Sequence, residues 1–379
     1  MKRKAFLLWL CIAVVLTALP VRAAEYQENS DATSLLLMEA SSGTVLYEKN
    51  ADESLPPASV TKIMTVLLVL EAIDAGKVKL DDTVTVSAYA ASMGGSQVYL
   101  KEGEVMRVED LLKSVIIASA NDAAVALAEH ILGSEEAFVA RMNERAQELG
   151  MAHTTFMNTN GLDDSDQGHL TSARDIAIMT RETLRHPLIF QYTTIWMDTI
   201  RDGAFGLTNT NRLIRFYKGA NGLKTGSTAK AGFCISATAK RENMQLIAVV
   251  MGSSSRDNRN AAAASMLDFG FANYAVASFD GTTITDSPIC AGTSATVCGS
   301  YESFSALVEK GKEKEVEMQI TYQPELCAPI HIGDTIGCVR YLLAEEEIGS
   351  VPIIATQEIP KIGYLHILTE LLRGLLLFS

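Results

Sequence analysis

Leu55-Pro56-Pro57-Ala58-Ser59-Val60-Thr61-Lys62-Ile63-Met64-Thr65 is the stretch on which the reading of this chain turns. Two prolines stop what precedes them, Ser59 follows, and Val60 to Ala75 carries apolar residues at helical spacing up to Gly76. Ser59 and Lys62 then stand one turn apart on one helix face, the serine at the positive end of the helix dipole. A serine beside a lysine base is a nucleophile arrangement that needs no histidine. Taken alone, Ser59 reads first as a plain N-cap, and Ser-x-x-Lys arises by chance about once in a chain of this length. The second copy, Ser227 and Lys230, lies in a Gly-rich strand segment that offers no such turn.

Two further elements join it. The pattern from Asp110 to Leu132 is helical but interrupted at Ser119-Ala120-Asn121-Asp122, the only Ser-x-Asn in the chain. Residues two apart diverge on a helix and share a side in extended backbone, so a kink here lets Ser119 and Asn121 reach one cleft. The plainer possibility is a turn using both side chains for local hydrogen bonds. Lys224-Thr225-Gly226 is the only Lys-Thr-Gly, and it runs into the strand pattern Gly232 to Ala239. On a strand Lys224 and Gly226 face the same way, and the bare glycine admits a ligand or helix close to the backbone. A surface turn with an exposed lysine would carry the same residues.

Around these motifs, residues 34–49 read as a hairpin turning at Ser41-Ser42-Gly43, and 232–239 with 245–251 read as a second. Glu135–Leu149, Ser172–Leu184 and Ala261–Tyr274 read as helices. From about residue 276 short strand-like runs bounded by Gly, Asp and Pro take over. In one of them Val316, Met318 and Ile320 alternate with Glu317 and Gln319 as in a half-buried strand.

The ends of the chain have other characters. Met1–Lys4 is basic, Ala5–Leu19 is an apolar run, and Val21-Arg22-Ala23-Ala24 offers small residues for cleavage, which together predict a secretory signal. The formal charge is −13, and without those 24 residues 28 bases face 45 acids, a balance that argues against nucleic acid as a partner. In the tail, His366, Thr369, Glu370 and Arg373 share one helix face while leucines and Phe378 fill the rest, the pattern of an in-plane membrane anchor, or failing that of a helix capping the β-rich domain. Five cysteines follow the leader. Cys234 reads as a buried thiol, and Cys290, Cys298, Cys327 and Cys338 allow zero, one or two bridges. The six histidines form neither H-E-x-x-H nor H-x-H, and no G-x-S-x-G elbow occurs, so a histidine triad or a zinc hydrolase has little support.

In this order the motifs resemble the low-molecular-mass penicillin-binding proteins, the serine-type D-Ala-D-Ala carboxypeptidases, and most of all the two-domain kind with a C-terminal amphipathic anchor. The matching stretches are Leu55–Thr65, Ala118–Ala123 and Gly222–Gly226. Shorter matches lie at Gly94-Gly95-Ser96, Asn158–Leu162 and Thr171–Asp175. The resemblance implies an α/β (α+β) transpeptidase fold of the penicillin-binding and β-lactamase type, with an antiparallel sheet flanked by helices and a small all-β domain behind it. The expected limits are a signal peptide at 1–24, a catalytic domain at 25–275, a β-rich domain at 276–358 and an anchor helix at 359–379.

It further implies Ser59, Lys62, Ser119 and Asn121 as catalytic residues, with Lys224, Thr225, Gly226 and Ser227 binding substrate and Arg259 assisting with its carboxylate. Many relatives carry His or Tyr where Ser227 stands, which leaves a side-chain role there in question. The implied substrate is the peptidoglycan stem peptide, with β-lactams as inhibitors, no metal or organic cofactor, and action outside the cytoplasm on the membrane surface. A class A β-lactamase fits less well, since Ala120 replaces the usual Asp and no Glu-x-x-Leu-Asn segment precedes Lys224. An endopeptidase cutting peptide cross-links would use the same machinery, and a catalytically idle wall-binding protein would have little need of five intact polar residues at these positions. The chemistry demands a neutral Lys62. Lowering a lysine pKa from about 10.4 to 7–8 costs roughly 4 kcal/mol, whereas a helix end supplies up to about 1, so burial and the second cation at Lys224 must provide the rest.

Overall fold

The computed structural model describes residues 25–162, 168–364, 367–369 and 372. The expected signal at 1–24 and much of the expected anchor, His366, Glu370, Arg373 and Phe378 included, lie outside them.

The first hairpin forms as its alternation predicts, β1 (Ser34–Glu39) and β2 (Val45–Lys49). The first motif follows, with a 3₁₀ turn at Ala58–Thr61 leading into α1 (Lys62–Asp74). The α-helix proper therefore starts at Lys62, and Ser59 sits in the tighter turn ahead of it. Apart from its C-terminal turn α1 is buried all round, as a helix apolar on every face must be. It is surrounded by α2 (Val108–Ile117), α3 (Asn121–Leu132), α4 (Glu135–Glu148) and α5 (Ala173–Thr183).

Strands β3 (Ala220–Thr228), β4 (Gly232–Arg241) and β5 (Met244–Ser253) complete a five-stranded sheet of order β2-β1-β5-β4-β3. Every pairing in it is antiparallel. Alternation then divides the core. Leu36, Met38, Ile247, Val249 and Met251 pack toward α1 and its neighbours. Leu35, Leu37, Leu246, Ala248 and Val250 pack toward α6 (Arg256–Asn273) on the opposite face. Sheet strands buried on both faces read as continuous apolar runs, as β5 does.

Helix α6 begins five residues earlier than its apolar pattern indicates. Ser255 caps it, its Oγ accepting the Asn258 N–H at 3.1 Å, so the polar run Arg256–Asn260 forms the first turn. That correction places Arg259 on a helix, packed against β4.

Between α6 and residue 361 the described residues form only β-strands and their connections. Strand β6 (Tyr274–Phe279), which starts two residues before the expected shift, pairs with β9 (Phe304–Glu309). Strands β7 (Thr283–Pro288), β8 (Thr296–Ser300), β10 (Glu317–Tyr322), β11 (Thr335–Leu343) and β12 (Glu346–Ala355) form a sheet of order β7-β8-β12-β11-β10. Phe304 stacks on Tyr341 at 4.2 Å, joining the two sheets through their aromatic faces. The half-buried reading of Val316, Met318 and Ile320 fails. Val316 is buried just ahead of β10, but Met318 and Ile320 are exposed, because β10 is an edge strand with neither face covered.

Of the open cysteine pairings one is made, Cys290 to Cys327, while Cys298 and Cys338 remain thiols and Cys234 is a buried one. The bridge closes a loop spanning 37 residues, worth about 4 kcal/mol in unfolded-state entropy. Replacing both Cys290 and Cys327 by serine is expected to add an early unfolding transition in calorimetry, with penicillin labelling of the remaining structure unchanged. A single late transition at the wild-type temperature would contradict this.

Candidate active site

The Ser59 turn is held from below by a crossing loop. Asn158 Oδ1 accepts the N–H groups of Asn160 (3.2 Å) and Gly161 (2.6 Å), folding 158–162 into a tight turn against α1. Gly161 has φ +79°, and a Cβ there would overlap Ala58 O, so only glycine lets the loop pass. This contact carries the Asn160 carbonyl to 2.8 Å from Lys62 Nζ.

Lys62 is fully buried, and its amine has three neighbours: Ser59 Oγ at 2.9 Å, Asn121 Oδ1 at 2.6 Å and Asn160 O at 2.8 Å. Ser59 is half-exposed, and neither end of its turn carries a side-chain cap, so the N-cap reading falls away.

Ser119 and Asn121 reach the site by a different geometry from the one expected. Ser119 lies in the left-handed region at φ +62°, Ala120 is extended, and Asn121 is already the first residue of α3. This turn sends the two side chains to different lysines. Asn121 Nδ2 donates to Gly94 O at 2.7 Å and its backbone N–H to Ser96 O at 2.7 Å, which leaves Oδ1 aimed at Lys62. Gly95, at φ +74°, brings its Cα close over Asn121, where a Cβ would stand 2.8 Å from Nδ2. The buried Asp122 fixes the same loop by accepting the N–H groups of Val98 and Leu100.

On the opposite wall, β3 is an edge strand of its sheet. Lys224 is buried, its Nζ donating to Ser119 Oγ at 2.8 Å and to Thr225 O at 2.9 Å. A Cβ on Gly226 would stand 2.8 Å from Pro57 O and 2.9 Å from Ser59 N, so the glycine is what allows the strand and the Ser59 turn to meet. Thr225 Oγ1 donates to Thr210 Oγ1 at 2.8 Å, and Ser227 is exposed beyond it. Arg259 is buried against β4, with one guanidinium nitrogen 3.4 Å from Cys234 O.

Ser59, Ser119, Thr225, Gly226, Ser227 and Arg259 line one cleft of about 500 Å³. The same cleft is walled by Trp196, Arg212, Arg215 and Phe216, which the sequence did not single out, and by Arg256 at the start of α6. The first four stand in short segments, where no periodicity marks a residue as facing anything. The Asn160 contact left no signal either, since it is made by a main-chain oxygen. No acid lies among the described lining residues, so the cleft is cationic in an otherwise acidic protein.

Burial is the main force on the two lysines. It holds Lys62 well below the usual lysine range, the Lys224 charge pushing the same way and buried Asp122 opposing. Burial, then Arg259, bring Lys224 down to about 7. Burial followed by Arg256 lowers Arg259 to about 10, which leaves it cationic at neutral pH.

A serine hydroxyl against a depressed lysine, inside an antiparallel sheet flanked by helices, defines a serine acyl-transfer enzyme of the penicillin-binding transpeptidase fold. Residues 21–255 match the D-alanyl-D-alanine carboxypeptidase family, and residues 279–361 match the C-terminal domain of penicillin-binding protein 5. The chain is 43% identical over 345 residues to the D-alanyl-D-alanine carboxypeptidase DacF of Bacillus subtilis, covering 89% of this chain and 88% of that one. Its structure is similar to penicillin-binding protein 5 of Haemophilus influenzae, with TM-score 0.79 and 31% identity over 89% of this chain and 100% of the other. It is also similar to the ampicillin-bound penicillin-binding protein D2 of Listeria monocytogenes, with TM-score 0.58 and 30% identity over 65% of this chain and 100% of the other. The chain belongs to the D-alanyl-D-alanine carboxypeptidase family of serine peptidases.

Proposed function

We propose that this carboxypeptidase removes the terminal D-Ala from peptidoglycan stem peptides through an acyl-enzyme on Ser59. The observation that carries the reading is the hydrogen bonding of Lys62. A neutral amine has two N–H groups and one lone pair. Asn121 Oδ1 and Asn160 O accept the two N–H groups, and the third neighbour is Ser59 Oγ. The lone pair is therefore left for the Ser59 proton, the arrangement of a general base.

The steps follow from that assignment. Ser59 Oγ bonds to the carbonyl carbon of the penultimate D-Ala while its proton passes to Lys62 Nζ. The oxyanion that develops is held by the backbone N–H groups of Ser59 and Ser227, each worth roughly 3 kcal/mol. Collapse breaks the C–N bond as the proton held by Lys62 passes through Ser119, itself bonded by Lys224, to the leaving amine of the terminal D-Ala, which returns Lys62 to its neutral form. Water then attacks the ester, giving its proton back through Lys62, and the shortened peptide leaves with Ser59 restored. The terminal carboxylate is received by Lys224, Thr225 and Arg259, with Arg256 and Arg212 adding positive potential. The free edge of β3 gives the peptide backbone a partner strand. β-Lactams, which present a carboxylate beside a strained amide, acylate the same serine.

Export and placement complete the reading. Residues 1–24 act as a secretory signal, 25–275 as the catalytic domain, 276–358 as a β-rich spacer, and 359–379 as an in-plane anchor on the outer face of the cytoplasmic membrane. Tyr364, Ile367, Leu368 and Leu372 are all exposed, which supports an apolar face awaiting a surface. Among the described residues no helix is long and apolar enough to cross a membrane.

Three outcomes test this. Labelled penicillin is expected to give a long-lived adduct mapped by mass spectrometry to Ser59 and absent from Ser59→Ala; rapid turnover of the drug would favour a β-lactamase instead. For peptides with a free carboxylate, kcat/KM is expected to be bell-shaped. It rises as Lys62 loses its proton and falls above about pH 7 as Lys224 loses its own. Lys224→Arg keeps the cation and is expected to abolish the alkaline limb while lowering the maximum; a limb unchanged in that variant would remove Lys224 from carboxylate binding. Deleting 359–379 is expected to release the protein from membrane fractions with peptidase activity kept, and continued association would refute the anchor.

A further inference from the structure

We infer that His169 is a positioning residue that aims the oxyanion-binding N–H of Ser59 through a two-bond relay. The relay passes through Thr61 to the carbonyl of Ala58. The inference rests on the acyl-enzyme reading above and adds a residue that touches neither substrate nor nucleophile.

The bonds fix their own direction from both ends. Met157 N–H donates to His169 Nδ1 at 3.0 Å. A backbone N–H only donates, so Nδ1 carries no proton and the ring proton sits on Nε2. At the other end, Thr61 Oγ1 has one hydrogen, and it goes to Ala58 O at 2.8 Å. Thr61 therefore accepts at its remaining contact, which is His169 Nε2 at 2.8 Å. Two independent arguments give the same tautomer and the same sense, His169 to Thr61 to Ala58. All three residues are buried, so water does not compete for these bonds.

The end point of the relay matters because a peptide unit is planar and trans. The Ala58 carbonyl and the Ser59 N–H belong to one unit and point in opposite directions. Holding the oxygen below the turn aims the N–H toward the cleft, and drawing charge onto that oxygen makes the N–H a stronger donor. Ala58 needs such a hold, since its φ of +49° is costly for a residue with a Cβ. The crossing loop leaves space for the relay because residue 161 is glycine: a Cβ there would lie 2.7 Å from Thr61 Oγ1.

The test uses the full chain with four single variants, His169→Phe, His169→Gln, Thr61→Val and Thr61→Ser, and the double variant His169→Phe/Thr61→Val. Two readouts are taken, the Ser59 amide resonance in isotope-labelled protein and the penicillin acylation rate at saturation with its half-saturating concentration. The Phe and Val variants are expected to shift the Ser59 amide and slow acylation about tenfold, part of the loss seen when an oxyanion donor is deleted, with half-saturation unchanged. Gln, which keeps a side-chain N–H, and Ser, which keeps the hydroxyl, are expected to recover most of the rate. The double variant is expected to be no slower than the worse single one, because the groups act in series. An unmoved Ser59 amide overturns the relay, as do multiplying effects or a loss confined to half-saturation or melting temperature. If the wild type forms no Ser59 adduct, the acyl-enzyme reading fails, and the amide resonance still decides the relay.

Discussion

Two lysine amines buried in one protein interior are the constraint on which this structure depends. Water would hold each as a cation, and the fold removes the water from both, Lys62 fully and Lys224 almost so. Two such charges close together are more than a dry site sustains. The proton therefore leaves one of them, and the hydrogen-bond partners decide which. Lys62 faces two oxygens that use its N–H groups and a hydroxyl that fits its lone pair. Lys224 bonds a hydroxyl and a carbonyl, those of Ser119 and Thr225, which leave its amine the weaker claim on a lone pair. The helix dipole is a minor contributor beside burial, as the size of the required shift already demanded.

Bringing the amines together requires backbones to pass closer than side chains allow. Gly226 lets the sheet edge reach the Ser59 turn, Gly161 lets the crossing loop pass beneath it, and Gly95 lets a further loop close over Asn121. Each glycine joins a different element to the same few atoms around Ser59 and Lys62. The site is thus a convergence of the sheet edge, α1, the start of α3 and two loops, and loosening any one of them displaces the others. Asp122 and Asn158 serve the same end by fixing loop main chain, which turns carbonyl oxygens such as Asn160 O into site components.

Much of this was legible in the sequence, because short-range chemistry left signals there. The paired prolines and the apolar run after Ser59 announced the helix that carries Lys62, and the interrupted pattern at Ser119 announced a break in the next. The details that failed were those that neighbours decide. The 3₁₀ turn at Ala58–Thr61 and the left-handed Ser119 are imposed by packing, with nothing in the local pattern to show them. Helix α6 began earlier than its apolar pattern because a cap, Ser255, outweighed the polar residues behind it. Met318 and Ile320 alternate as if half-buried, yet an edge strand without a covering layer leaves them in solvent.

By itself, the sequence determined the elements and the three motifs, since helical and strand periodicity and the identities of Ser59, Lys62, Ser119, Asn121 and Lys224 depend on no distant residue. Only the tertiary structure decided which groups meet and what state they hold. The Asn160 carbonyl, the arginine wall of the cleft, the pairing of Cys290 with Cys327 and the His169 contact all join residues far apart in the chain. The depression of both lysine pKa values has the same origin, because desolvation is a property of everything packed around an amine and is recorded in no single stretch of residues.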